Sequence, residues 1–235
     1  MTIRKLKFSC VITLASLVVY HPSQGQTEQL WLAAELSKPL ENNFTLAATV
    51  SWRQSVPESL WKRSVVQFSG SYSHKSLRLL SGIANHYTIE EGEHDLFEVR
   101  GWQGVAATFP DWRRFELVHF LRMEQRFQKE QGNWSFSPRI RFEISGRVAI
   151  NKPALEDRAF YLYSALEWLN NFGKPLRERF ANTRASSVGV GFRFNDFSSA
   201  ELIYEADVTE NVRERLLDVD VSIVRIRWLG ALKNR

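Results

Sequence analysis

The segment RIRFEISGRVAI at 139–150 limits what the chain can fold into more than any other stretch. Ile140, Phe142, Ile144, Val148 and Ile150 alternate with Arg139, Arg141, Glu143, Ser145 and Arg147. Alternation with period two marks a strand, because successive side chains point to opposite faces of a sheet. Residues 44–53 repeat the pattern: Phe44, Leu46, Ala48, Val50 and Trp52 share one face, while Thr45, Ala47, Thr49, Ser51 and Arg53 share the other. Strands are expected near 29–37, 43–54, 61–74, 76–89, 94–109, 113–128, 134–150, 157–169, 182–195, 199–208 and 217–229. Turn-forming stretches such as EEGEHD, NKPALED and NNFGKP punctuate them. Helical periodicity leaves only a weak trace around Leu176–Arg184. The expectation is one all-β domain.

The polar parity says what kind. It gathers Glu98 and Arg100 on one strand, Arg122, Glu124 and Arg126 on a second, and Arg139, Arg141, Glu143 and Arg147 on a third. Glu167, Arg193, Glu201, Glu205 and Asp207 complete the set. These seven arginines and seven acids include no lysine. The planar guanidinium fork pairs bidentately with carboxylates, which suits an enclosed ionic network better than open water. The opposite parity is apolar, as a lipid-facing band must be. Candidate strands this long exceed the usual five or six residues and match tilted membrane-crossing strands. The pattern therefore predicts an antiparallel up-and-down transmembrane β-barrel of about ten to twelve strands around a charged lumen. Eleven candidates sit badly with the even strand numbers of single-chain bacterial barrels. The long stretch 94–109 and the first strand are where the count is expected to be off. A soluble periplasmic barrel or sandwich, with its core at Phe44, Leu46, Ile140 and Phe142, is the alternative.

Two details resist this scheme. His119 shares the outward parity of Leu117, Leu121 and Met123. In the last strand Val219, Val221 and Ile223 alternate in one phase and Val224, Ile226 and Trp228 in the other, so a bulge is expected near Ser222 or Ile223.

Mean hydropathy is −0.29 and hydrophobic residues make up 44%. No apolar run of helix-spanning length follows the N-terminus, which excludes a bundle of membrane helices. Aromatic residues reach 13%, in keeping with interfacial girdles. Basic Met1–Lys7, apolar Phe8–Tyr20 and small, polar His21–Gly25 match the regions of a secretory signal peptide. Cleavage is expected after Gly25, dividing the chain into a signal at 1–25 and a barrel domain at 26–235. N-terminal sequencing of the mature protein should begin at Gln26; a retained Met1 would refute export by cleavage. Three of the 31 basic residues, Arg4, Lys5 and Lys7, leave with the signal, so 28 face 26 acidic ones. That balance gives no basis for nucleic-acid binding. Cys10, the one cysteine, lies in the signal too.

At EVRGWQGV (98–105), HFLRMEQRF (119–127), RIRFEI (139–144) and VGVGFRFND (188–196) the chain resembles the domain of unknown function 2490 family of bacterial outer-membrane proteins. The resemblance is carried by Trp102, by Arg122, Glu124 and Arg126, and by Arg139 and Arg141. It implies an outer-membrane barrel and brings no assigned activity or catalytic residue.

No catalytic, cofactor or metal residues stand out. His74, His86, His94 and His119 show no spacing that selects a Ser–His pair, and Ser73–His74 reads as turn chemistry. Glu90, Glu91, Glu93 and Asp95 could offer oxygens to Ca²⁺ but read as a solvated acidic loop. Three roles stay open: a structural, adhesive or narrow-transport barrel whose partner is outer-membrane lipid, a lipid- or lipopolysaccharide-modifying enzyme, and a small-solute channel.

Overall fold

The computed structural model describes residues 27–56, 58–109, 113–172, 182–210 and 217–232. The eleven expected segments are eleven strands: β1 (Thr27–Pro39), β2 (Phe44–Val56), β3 (Trp61–His74), β4 (Leu77–Glu90), β5 (Leu96–Thr108), β6 (Phe115–Glu130), β7 (Asn133–Ala149), β8 (Ala159–Asn171), β9 (Asn182–Asn195), β10 (Ser198–Glu210) and β11 (Leu217–Ala231). Each pairs antiparallel with its chain neighbour, and β1 pairs with β11 to close a barrel. The even-number expectation fails here. Residues 94–109 form one strand and the first strand is a full member of the sheet. The antiparallel expectation fails at one seam only, since β1 and β11 run parallel from Thr27↔Val221 to Ser37↔Ala231. An up-and-down chain with an odd number of strands finishes in the direction in which it began. Its closing pair must be parallel.

Residues 1–25 and most of the helical trace at 176–184 lie outside the described residues; Asn182–Arg184 open β9. The two longest strands, β6 and β7, are joined by Gln131–Gly132, both with positive φ (50° and 85°). Such a turn matches the twist of the strands it connects. Connections alternate between the rim where β1 starts, the N-terminal rim, and the opposite C-terminal rim.

The strand pleat sorts side chains by chemistry. Large apolar groups stand outside, led by Leu79 at 58% and Phe68 at 57% exposure. Ion pairs and small residues fill the inside. His119 is indeed outward, and its ring packs between Phe109 (4.9 Å) and Phe142 (6.0 Å) toward the C-terminal rim. The last strand corrects its expectation. The register break pairs Asp207 with Val221 and Val208 with Val219, so the extra residue is Asp220 rather than one near Ser222 or Ile223. From Val221 onward the parity never switches. Val221 and Ile223 point inward with Arg225 and Arg227, and Ile223 is fully buried, as is Ile203.

Candidate functional site: an ion-paired lumen

Strand register explains the ionic interior. Arg122 lies directly opposite Arg141, and Arg100 directly opposite Arg126. Like charges facing each other across a sheet repel. A carboxylate one pleat away removes the conflict in both places. Glu124 sits two residues along from Arg122, opposite Arg139 on one side and Trp102 on the other. Its carboxylate meets four guanidiniums: Arg139 at 2.7 Å, Arg122 at 2.9 Å, Arg141 at 3.3 Å and Arg100 at 3.4 Å. Its side chain has no exposed surface. Glu98 accepts from Arg100 and Arg126, each at 2.8 Å, and from Gln128 at 3.3 Å. Arg122 also stacks on the Trp102 ring, 4.2 Å from its centroid. The Trp102 ring in turn lies over Gly82 of β4, where any Cβ would meet it at 2.6 Å.

A second cluster surrounds Glu201. Tyr161 donates its hydroxyl at 2.8 Å, Arg147 approaches at 3.3 Å, and Arg227, directly opposite across β10–β11, donates its Nε at 2.6 Å. Tyr161 is on β8 and Glu201 on β10, so the phenol must cross β9. It does so over Gly191, which pairs with both residues and has no side chain to block the ring. Arg147 also binds Glu116, opposite it on β6, at 2.8 Å.

The third cluster joins the seam. Arg225 pairs with Glu205, and Arg53 of β2 reaches Asp207 of β10 at 3.4 Å. Gln29 accepts from Arg53. Trp31 lies between the two cations, 3.6 Å from the Arg225 guanidinium and 4.9 Å from that of Arg53. Arg141 links the first cluster to Glu167 through its Nε at 2.6 Å.

Twelve of the fourteen expected residues thus enter ion pairs inside the barrel. The other two do not join. Among the described residues Glu143 has no cation within ion-pair distance, although it lines a chamber between the clusters. Arg193 stands at the C-terminal rim, where it donates to the Leu155 carbonyl at 2.9 Å and pairs with Asp196 at 3.0 Å. Sequence reasoning missed Arg53, Glu116, Arg225, Arg227, Trp31 and Tyr161. All share the inward parity. Arg225 and Arg227 escaped because the apolar inward pair Val221 and Ile223 looked like an outward face.

Two cavities flank the Glu201 cluster. A bowl of about 610 Å³ opens at the C-terminal rim, lined by Arg113, Glu116, Arg147, Tyr161 and Arg193 among others. A chamber of about 330 Å³ lies deeper, between the three clusters, and His86 faces it. Glu35 lines both. The β7–β8 connection leans over the bowl: Leu155 N–H donates to the Arg113 carbonyl at 3.2 Å, and Arg114 donates to the Lys152 carbonyl at 3.2 Å. Ser73–His74 ends β3 rather than lying in a turn. Among the described residues no group of three or more His, Cys, Asp or Glu side chains is placed to hold a metal ion.

Residues 28–215 match a family described as protein of unknown function (DUF2490). None of the curated proteins and none of the solved structures matches the chain.

Proposed function

The chain belongs to the DUF2490 family, whose function is unknown, and we propose that it is an exported outer-membrane barrel whose ion-paired lumen serves binding rather than free conduction. The observation that carries this reading is an inversion: the largest apolar side chains are outside and the arginine–carboxylate pairs are inside. A barrel that met water on its outer wall would have the reverse distribution. Aromatic pairs cluster toward both ends of the apolar band. Phe97–Trp134 and Phe127–Phe136 lie toward the N-terminal rim. Phe44–Tyr72, Phe109–His119 and Phe160–Phe192 lie toward the C-terminal one. Girdles of this kind fit the two interfaces of a bilayer. Strands of 13–17 residues are long enough to cross one at a tilt.

The lumen side of the reading rests on chords. Arg53–Asp207 and Arg147–Glu201 each join strands three positions apart around the wall, so ion pairs span the interior rather than only lining it.

Val66, in the middle of β3 and outward-facing, supplies the test. Val66→Arg is expected to lower the stability of the barrel folded in lipid vesicles by about 2–4 kcal/mol, the cost of an arginine on the lipid face near the midplane. Immunodetection should place the wild-type protein in the outer-membrane fraction. A Val66→Arg barrel as stable as wild type, with the protein in the soluble fraction, would favour the soluble alternative. In planar bilayers, repeated insertions should be electrically silent. Steady conductance steps would replace binding with narrow transport.

A further inference from the structure

We infer that the deep chamber is a binding site for a small oxyanion, a carboxylate or phosphate group carried by a molecule no larger than a short organic acid. The inference concerns the interior alone and does not depend on which membrane holds the barrel.

The chamber is lined by eight arginines against five carboxylates. Three further acids, Glu98, Glu124 and Glu201, lie behind this lining and pair with Arg100, Arg122, Arg139, Arg141 and Arg227. Glu124 and Glu201 have no exposed side-chain surface; on the chamber wall itself Asp207 keeps 1%, Glu205 8% and Glu167 15%, against 25% for Arg141 and 23% for Arg227. A solute in the chamber meets the guanidinium edges of Arg141 and Arg227, with Glu143 on the same wall. Each guanidinium carries five N–H donors in a fixed fork, and an ion pair with one carboxylate uses only some of them. Arg225 shows the remainder. It pairs with Glu205 through Nη2 and lies against Trp31, while its Nε, itself buried, has no hydrogen-bond acceptor among the described residues.

Guanidinium forks of this kind recognise an acceptor-only group with several oxygens. Low-dielectric walls strengthen the attraction. The volume of about 330 Å³ lies at the small end of the range for ligand pockets, which admits phosphate or a short dicarboxylate and excludes a lipid. Glu35 lines both the chamber and the outer bowl.

The test uses the mature barrel folded in detergent, titrated calorimetrically with inorganic phosphate, with succinate, and with choline as the cationic control. Tryptophan fluorescence follows Trp31 in parallel. Saturable binding of at least one anion and none of choline is expected, and the preferred anion names the oxyanion. Affinity should fall at least tenfold in Arg225→Gln and in Arg141→Gln. Ala33→Phe, which narrows the chamber without removing a charge, should abolish binding and decides the matter where an arginine variant fails to fold. Absence of binding by both anions overturns the inference. So does binding that survives Ala33→Phe in the folded barrel but is lost in Arg193→Gln, because it would lie in the bowl.

Discussion

Replacing Glu124 with alanine is expected to lower the stability of the folded barrel by about 3–5 kcal/mol, the range for removing one partner of a buried ionic group. The effect should be large because Glu124 serves Arg100, Arg122, Arg139 and Arg141 together. Without it, Arg122 and Arg141 face each other directly across β6–β7 with no acid between them. The measurement is the denaturant midpoint of the heat-modifiable band on cold gels. Arg141→Ala should cost less, since Glu124 keeps three other guanidiniums. Glu91→Ala, at an exposed turn, should change almost nothing. If Glu124→Ala and Arg141→Ala both leave the midpoint where it is, the ionic interior does not hold the barrel together.

Gly191→Val is expected to cost about 2–3 kcal/mol, from overpacking and from loss of a buried hydrogen bond. Valine suits a strand by intrinsic preference, so a propensity argument alone predicts a gain. The structure predicts the opposite sign. A side chain at 191 occupies the space through which Tyr161 crosses β9, and the displaced phenol would abandon Glu201. Pairing Gly191→Val with Tyr161→Ala supplies a double-mutant cycle. Much of the valine penalty should vanish when the ring is already absent. Strictly additive penalties would mean that the glycine acts through the backbone and not by making room.

Legibility from the sequence followed the physics of the pleat. Period two is a local property, so β7 and its ionic face could be read directly from residues 139–150, and so could the inward placing of Glu124. Which acid meets which arginine was not legible, because pairing depends on register and on chords such as Arg53–Asp207 between strands far apart in the chain. Parity also misled where the inner face turns apolar. Ile223 is buried in the lumen beside a mainly charged wall, and its hydrophobicity suggested a change of face that β11 does not make. Arg193 shows the limit at the other end: it has the inward parity, but its place at the rim turns it to Asp196 and to the β7–β8 connection. The strand count came out odd because the even-number rule describes known barrels and is not a requirement of hydrogen bonding.

The parallel seam has a topographical consequence. Thr27 and Ala231 belong to strands that start and finish at opposite rims, so in the bilayer-spanning barrel proposed above the two extremities would look out on opposite sides. A peptide tag added beyond Ala231 and one added before Thr27 cannot both be reached by an antibody applied from one side. Reagents that do not permeate would therefore report the orientation of every molecule from its two ends alone. A barrel with an even number of strands, whose ends emerge together, gives no such readout.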